Sequence, residues 1–343
     1  MKRHGNLYNQ IASKENIYLA YKKARKGKGW QNTVKRFEEN LDENINKIHE
    51  SLINKTFKTS SYKIKVIREP KERLIYRLPF NPDRIVQHAL MNIVEPIWNN
   101  LFVYDSYACR IGKGIHAGSR RTMEFARKNN YCLKCDISKF YPSINHDILF
   151  GIVQKKIKCK DTLWLLENII YSIGGGVNVP IGNYTSQWFG NLYLNELDQL
   201  LKHKYKIKHY IRYCDDFILF HDDKKFLGKM VGIIEEYIRE RLQLKLSKCD
   251  LFPVSRGIDF LGYRHFKGYI LVRKSTAKRV KKRLKKLPTL LAKNKISTEQ
   301  YRSSLASTMG WLKWSNSYNL RKSLQIEALL EVCNGESKNK VFQ

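Results

Sequence analysis

The most constraining feature of the sequence is a pair of adjacent aspartates between two short apolar runs. The stretch Tyr210-Ile-Arg-Tyr-Cys-Asp-Asp-Phe-Ile-Leu-Phe220 places Asp215 and Asp216 where two strands would join. Like charges at a hairpin tip repel each other and contribute little to a core, but carboxylate oxygens are the ligands that Mg²⁺ prefers. By itself, however, such a pair is more often an ordinary polar turn.

A third aspartate lies in a matching setting. The strand-like run at residues 131–137 carries Asp136 near its end, and the aromatic residue Tyr141 follows within a turn. Three carboxylates at the ends of such strands are typical of a polymerase palm, where two cations about 3.5–4 Å apart stabilise phosphoryl transfer. We call Asp136, Asp215 and Asp216 the acidic triad.

With these motifs the chain resembles a reverse transcriptase. Six sequence boxes occur in the order found in that family, over roughly residues 60 to 270, and their order is more specific than any single box. In chain order they are Arg73 with residues 83–87, Asp136 with Tyr141, residues 180–187, residues 213–216, residues 246–248 and residues 260–263.

The motif at residues 180–187, which we call the template motif, indicates which branch of reverse transcriptases the chain resembles. Intron-type enzymes usually carry Gln-Gly-x-x-x-Ser-Pro, whereas this chain has Ile181-Gly-Asn-Tyr-Thr-Ser-Gln187. This version resembles the reverse transcriptases of diversity-generating retroelements, as do residues 2–8, 20–26 and 104–114. That branch implies error-prone copying at template adenines. It also implies a structured template RNA, its cDNA, dNTPs and a small basic oligomeric accessory protein as partners.

The resemblance implies a metal site. Asp136 and Asp215 would hold two Mg²⁺ ions, with Mn²⁺ as an alternative, and Asp216 would support one of them. The backbone carbonyl of Ile137 would be a further ligand.

The resemblance also implies residues that contact the substrates. Arg73 would hold the incoming triphosphate, because a guanidinium fork matches phosphate oxygens; Lys65 or Lys71 would assist. Tyr141 would lie under the sugar and exclude a 2′-hydroxyl, unless it is an ordinary core aromatic. Lys248 would donate a proton to the leaving pyrophosphate, with the nearby Lys245 as an alternative.

Ile181, Gly182 and Gln187 of the template motif would lie at the nascent base pair. Ile181 offers only apolar contact where a glutamine could hydrogen-bond, and the absence of one polar contact weakens discrimination by roughly 1–3 kcal/mol. A second interpretation, of equal weight, is that Ile181 only packs the motif loop.

Composition restricts the partners and the compartment. The 64 basic and 31 acidic residues give a formal net charge of +33, which favours nucleic acid as a partner. No apolar run of 18 residues and no secretory signal pattern is present, so we expect no membrane association and a cytoplasmic protein, encoded by a bacterium or phage. The seven cysteines, including Cys132 and Cys135, are expected to be mostly reduced core residues.

The fold predicted is α+β, a right-hand polymerase with an N-terminal helical extension (1–58), fingers and palm (59–270) and a basic helical thumb (271–343). Helices are expected at 17–24, 34–52 and 83–98 and near 224–242. Pro96 is expected to mark the end of the helix at 83–98. A hairpin is expected at 60–80, with its turn at 69–72, and a strand at 131–137.

The thumb begins with a basic amphipathic helix. Val280, Leu284 and Leu287 form a narrow apolar stripe, and Pro288 is expected to interrupt the helix. Further helices are expected near 298–310 and 319–333. The predicted nucleic-acid-binding residues are Lys278, Lys281, Lys282, Arg283 and Lys285; a solvated basic face is the alternative.

Three functions stay open from the sequence. The first is a reverse transcriptase that copies a retroelement RNA with low fidelity. The second is a group II intron-like or other retroelement enzyme of ordinary fidelity, although the short segment after residue 270 leaves little room for a maturase or DNA-nicking domain. The third is a non-catalytic RNA-binding module, which the intact acidic triad argues against, because RNA binding alone does not require carboxylates beside phosphates.

Overall fold

The computed structural model describes residues 3–68 and 72–331. In this part of the chain no helix is both long enough and apolar enough to cross a membrane. The helices are α1 (Tyr8–Ala12), α2 (Lys14–Arg25), α3 (Asn32–Glu39), α4 (Leu41–Ile53), α5 (Ile85–Asn99), α6 (Ile115–Lys128), α7 (Phe140–Ser143), α8 (His146–Gln154), α9 (Lys160–Ile170), α10 (Ser186–Gln199), α11 (Lys224–Leu242), α12 (Lys274–Ala292), α13 (Thr298–Lys313), α14 (Tyr318–Ser323) and α15 (Ile326–Glu331). The strands are β1 (Lys63–Ile67), β2 (Arg73–Arg77), β3 (Tyr131–Ile137), β4 (His209–Tyr213), β5 (Asp216–His221), β6 (Leu246–Pro253), β7 (Ile258–Phe260), β8 (Tyr263–His265) and β9 (Ile270–Val272).

The described residues form two compact units. Unit 1 contains the described residues up to Ile111, together with Lys134–Ile218 and Gly228–Asp250. Unit 2 contains Gly112–Leu133, Leu219–Leu227 and the described residues from Leu251 onward. The domain boundaries expected after residues 58 and 270 stay predictions.

The strands form three sheets. β1 and β2 form the expected hairpin, with Ile64 opposite Tyr76 and Ile67 opposite Arg73. Of the turn expected at 69–72, residues 69–71, including Lys71, lie outside the described residues. The second sheet has the order β4-β5-β3-β6, and the third has the order β7-β8-β9. Cys132 and Cys135 on β3 are buried free thiols, as expected.

The N-terminal helices pack into unit 1. Helix α2 buries Ile17, Ala20, Tyr21 and Ala24, the apolar positions from which it was predicted. The side chain of Ser13 caps its first turn, and the Asn16 amide donates to the carbonyl oxygen of Ala89 on α5 at 3.0 Å. The capping bond satisfies a backbone N–H that a helix start leaves without a partner.

The single helix expected at 34–52 is wrong, because α3 and α4 are separate. Asn40 lies between them with φ −131° and ψ 53°, outside the helical region. Asparagine is a weaker helix former than most residues, although the Asn40 side chain makes no capping hydrogen bond to α4. The apolar stripe continues across the break, with Phe37 and Ile45 both buried.

Two prolines expected to end helices lie inside them. Helix α5 continues past Pro96 to Asn99, and α12 continues past Pro288 to Ala292. A proline removes one helical hydrogen bond, a loss that burial of neighbouring side chains offsets. Trp98 is fully buried, and Leu287 belongs to the core of unit 2.

The helix expected near 319–333 is also wrong, because two short helices occupy this segment. Helix α14 ends at Ser323 and α15 begins at Ile326, and Gln325 between them has φ 48°. A left-handed residue cannot continue an α-helix. Residues 332 and 333 lie outside the described part of the chain.

Candidate active site

The three carboxylates of the acidic triad come from two neighbouring strands and the turn beside them. Asp136 is the penultimate residue of β3, Asp215 lies in the turn between β4 and β5, and Asp216 begins β5. Since β5 is adjacent to β3 in the sheet, the negative charge of Asp136 raises the pKa of both Asp215 and Asp216. The structure thus brings the predicted triad into electrostatic contact.

Asp216 is the most strongly perturbed carboxyl group of the triad. Its pKa is raised to about 7, chiefly by burial and also by the charges of Asp136 and Asp215, although the nearby Lys134 opposes the rise. The Lys134 ammonium lies 3.2 Å from Oδ2, whereas Oδ1 is buried without a hydrogen-bond partner. A buried carboxylate oxygen without a partner is costly, and a bound cation would satisfy it.

The donor set fits Mg²⁺ or Mn²⁺, which bind carboxylate and carbonyl oxygens. In the described residues, however, no three His, Cys, Asp or Glu side chains are placed closely enough to hold an ion together. Two of the oxygens have protein partners: Lys134 pairs with Asp216, and Asp136 Oδ2 accepts a hydrogen bond of 2.5 Å from the Ser247 hydroxyl. Metal binding by the triad therefore stays a prediction.

Sequence reasoning missed the roles of Lys134 and Ser247. Lys134 lies two residues before Asp136, so the alternation of a strand places both on the same face of β3, a signal available in the sequence. The Ser247 hydroxyl also lies 3.1 Å from the carbonyl oxygen of Asp136. Because β6 is far from β3 in sequence, only the sheet order reveals this contact.

The turn that carries Asp215 has an unusual backbone. Cys214 adopts φ 54°, a left-handed conformation that costs a non-glycine residue roughly 1–2 kcal/mol. The guanidinium of Arg212 donates to the carbonyl oxygen of Cys214 at 3.0 Å. A side chain on β4 therefore holds the backbone from which Asp215 projects.

Arg212 is itself fully buried in a polar network. Its Nε and Nη2 donate to the two carboxylate oxygens of Asp198 at 2.7 and 2.6 Å, and Nη1 donates to Asn191 at 3.1 Å. Burial alone would lower the pKa of Arg212, but Asp198 outweighs it and raises the pKa above its usual range. An arginine inside an apolar strand pattern is the sequence signal for such a partner, although the pattern does not identify Asp198.

Arg73 and Tyr141 both lie close enough to the turn to interact electrostatically with Asp215. The positive charge of Arg73, the first residue of β2, lowers the pKa of Asp215, although burial outweighs it and raises that pKa. The pKa of the Tyr141 hydroxyl is raised, first by burial and then by neighbours that include Cys214 and Asp215. Tyr141 on α7 is packed against Gly190 of α10, where an added Cβ would lie 3.1 Å from its ring.

The template motif is joined to the β1–β2 hairpin. The backbone N–H of Tyr76 donates to the carbonyl oxygen of Ile181 at 2.8 Å. Gly182 has φ 134°, and a Cβ there would overlap the carbonyl oxygen of Tyr76, so this approach requires glycine. The Ile181 side chain is half-buried and Gln187 is exposed on the first turn of α10.

The structure gives the positions of Lys248 and Ile137, and the roles predicted for them stay predictions. Lys248 is exposed on β6, directly after Ser247. Ile137 ends β3 with a buried side chain, and its carbonyl remains a predicted metal ligand.

The predicted thumb residues divide into two groups. Leu284 and Leu287 on α12 pack into the core of unit 2. Successive residues of a helix are rotated by 100°, which places Lys278, Lys282 and Lys285 on the opposite, exposed face. Lys281 lies at the edge of that face. Arg283 flanks the apolar stripe and donates to the Thr308 hydroxyl and to the carbonyl oxygen of Ser304 on α13. Its guanidinium is thus engaged within unit 2.

Comparison with known proteins gives the same family over the same region. A reverse transcriptase (RNA-dependent DNA polymerase) family model matches residues 68–265. Protein YkfC of Escherichia coli (strain K12) is 26% identical over 237 residues, 54% of this chain and 61% of that protein. The group II intron-encoded protein LtrA of Lactococcus lactis subsp. cremoris is 24% identical over 274 residues, 71% of this chain and 45% of LtrA. The chain thus spans less than two thirds of either relative.

A solved structure supports the fold. Apo telomerase from Candida tropicalis matches with a TM-score of 0.51 at 13% identity, over 83% of this chain and 60% of that chain. The expected right-hand polymerase fold, with mixed helices and sheets, is confirmed. Since the family model covers more than half of the 343 residues and includes the whole acidic triad, this chain belongs to the reverse transcriptase (RNA-dependent DNA polymerase) family.

Proposed function

We propose that this chain is an RNA-directed DNA polymerase that copies a template RNA into cDNA from dNTPs. The observation that carries the proposal is the acidic triad within the family match, with a buried oxygen of Asp216 that lacks a partner. Holding three mutually repelling carboxylates together, one of them with a buried oxygen that has no partner, destabilises a fold unless cations neutralise them. A binding module would gain nothing from that arrangement.

Asp136, Asp215 and Asp216 would hold the divalent cations, with the carbonyl of Ile137 as a further ligand. When bound, two such ions would neutralise charge on the attacking and leaving oxygens of nucleotidyl transfer. The protein's own contribution is mainly positioning. Ser247 fixes the carboxylate of Asp136 by its hydrogen bond.

Residues around the triad would orient the nucleotide. Arg73 would bind the triphosphate, which fits its electrostatic effect on Asp215. Tyr141, held against Gly190, would fill the space beside the sugar C2′. Lys248 would supply a proton to pyrophosphate.

Asp215→Asn tests this proposal. The amide keeps the shape of the side chain but removes a charge needed to hold two dications, so Mg²⁺-dependent extension of a DNA primer on an RNA template should be lost. Binding of the RNA template–primer should remain. Asp147→Asn, at an exposed carboxylate that accepts a hydrogen bond from Tyr171, is the matched control and should extend normally. Activity of Asp215→Asn comparable to that of the unchanged protein would remove Asp215 from the metal site.

We further propose the diversity-generating branch, with error-prone copying at template adenines. This proposal is supported by Ile181 in an ordered template motif. The carbonyl oxygen of Ile181 accepts a hydrogen bond from the N–H of Tyr76, and the next residue, Gly182, contacts the same strand closely. The partners proposed with it are a structured retroelement RNA and a small basic oligomeric accessory protein, in a bacterial or phage-infected cytoplasm.

Ile181→Gln tests the fidelity proposal. The amide would be left without partners beside a misaligned pair, which penalises mismatches more than correct pairs. Sequencing of cDNA from a defined RNA should then show fewer errors at template adenines. Equal error rates for both proteins would mean that Ile181 does not set the fidelity at adenines. A low error rate of the unmodified protein at template adenines would favour a retroelement enzyme of ordinary fidelity, the alternative that the similarity to group II intron-encoded LtrA supports.

A further inference from the structure

A short basic segment of unit 1 lies apart from every predicted site residue. Residues 202–208, Lys-His-Lys-Tyr-Lys-Ile-Lys, carry four lysines and a histidine without an acid; we call them the lysine loop. They join α10 to β4, at the end of β4 opposite to the turn that carries Asp215. The five residues of β4, at 3.2–3.4 Å each, place the loop roughly 15–20 Å from the acidic triad.

The backbone of the lysine loop is fixed. Ile207 is buried, and its N–H donates to the carbonyl oxygen of Leu201 at 3.0 Å. The Lys202 ammonium donates to the carbonyl oxygen of Lys208 at 2.9 Å and closes the loop. The exposed lysines therefore project from an ordered base, so little backbone entropy would be lost when a ligand binds.

Three of the four lysines of the loop, all except Lys202, have no ion pair with a described residue. Lys204, Lys206 and Lys208 are exposed, and the ammonium groups of Lys206 and Lys208 have no ion pair or hydrogen bond among the described residues. The carboxylate that Lys202 approaches, Asp105 at 3.7 Å, is itself buried. Three like charges presented together favour a polyanion as the ligand.

We propose that the lysine loop is a second RNA-binding surface, which contacts the phosphates of a folded part of the template RNA outside the template–primer duplex. This inference rests on the proposed function, since it takes RNA to be the template. The ligand is phosphate backbone rather than bases, because lysine ammonium groups act as point charges without the fork geometry that reads base edges. Because the lysine loop is separated from the acidic triad, RNA bound to the loop would leave the template–primer site at the triad free.

The test compares two RNA substrates with one triple variant. Lys204→Gln, Lys206→Gln and Lys208→Gln together should reduce the log–log salt slope for a stem-containing RNA by about 2–3, because every phosphate that the protein no longer neutralises reduces that slope by somewhat under about 1. Extension of a short primer on an unstructured RNA template should stay unchanged. Lys202 is kept, because it closes the loop.

The matched control removes the same charge from α11. Lys224, Lys225 and Lys229 are equally exposed, but this helix begins directly after Asp222 and Asp223. The control should leave both readouts unchanged. An equal loss in the control, or an equal loss on the short template, would overturn the proposal. No extension of the short template by the unmodified protein would instead contradict the proposed function.

A second measurement does not depend on any variant. Acetylation of lysines in the unmodified protein, read by mass spectrometry, should slow at Lys204, Lys206 and Lys208 when the stem-containing RNA is added. Full reactivity at all three lysines in the RNA complex would overturn the proposal. Protection by polyglutamate but not by RNA would assign the loop to an acidic protein and would also overturn it.

Discussion

Replacing Arg212 by methionine should destabilise the fold strongly. The change leaves the Asp198 carboxylate fully buried, with the hydroxyl of Tyr210 still donating to it at 2.6 Å. Removing one partner of a buried ion pair costs about 3–5 kcal/mol, because the other charge stays desolvated and unpaired. That is a large fraction of a typical folding free energy of about 5–15 kcal/mol.

A double-mutant cycle separates the ion pair from the loss of packing. Asp198→Asn keeps an acceptor for Tyr210 but removes the charge, so Arg212→Met and Asp198→Asn together bury no charge. The destabilisation of the double variant should be smaller than the sum of the single variants by about 2–3 kcal/mol. Thermal unfolding of the four proteins measures this, with a midpoint drop of about 10 °C expected for Arg212→Met.

The same cycle tests whether Arg212 positions the turn. The double variant regains stability but still lacks the hydrogen bond to the carbonyl oxygen of Cys214, so its primer-extension rate should stay low while its dNTP KM changes little. Additive unfolding midpoints would refute the ion-pair reasoning. A double variant with normal extension would refute the positioning role.

Three further predictions follow from individual residues. Gly182→Ala should lower primer-extension activity by more than about tenfold without unfolding the chain, because a Cβ overlaps the carbonyl oxygen of Tyr76. Normal extension rates would mean that the template motif can shift to accommodate the added Cβ. Tyr141→Ala should raise the ratio of rNTP to dNTP efficiency, and an unchanged ratio in an active variant would remove Tyr141 from sugar selection. Burial lowers the pKa of His88 from 6.5 to about 4, so its contribution to stability is complete above pH 6.5 and is lost as the pH falls toward 4. His88→Phe should therefore flatten the acid-side fall in the free energy of unfolding over that window, by up to about 3 kcal/mol, and identical pH profiles of the two proteins would contradict this.

Elements with a regular pattern were predicted well from the sequence. The strand expected at 131–137 is β3, and the helix expected near 224–242 is α11. The errors fall where one residue or a distant contact decides the outcome. Asn40 interrupts the helix although the apolar stripe continues across it. Pro288 does not interrupt α12, in which the neighbouring Leu287 is buried.

The carboxylates of the acidic triad could be selected from the sequence, whereas the contact that Ser247 makes with Asp136 could not. Adjacent carboxylates at the ends of apolar strands are a local pattern, so Asp136, Asp215 and Asp216 were identified without tertiary information. Ser247 depends on the placement of β6 beside β3, and no local periodicity specifies which strands become neighbours.

Whether the acidic triad holds two divalent cations can be measured directly by counting the bound ions. Electron paramagnetic resonance would measure Mn²⁺ bound to a complex of the protein with an RNA template, a DNA primer lacking its 3′-hydroxyl and the next dNTP, with Mg²⁺ as competitor. Two competable ions per complex are expected for the unchanged protein, and weakened binding of at least one for Asp216→Asn. Equal Mn²⁺ binding by both proteins would contradict the assignment of these carboxylates as the metal site of a polymerase.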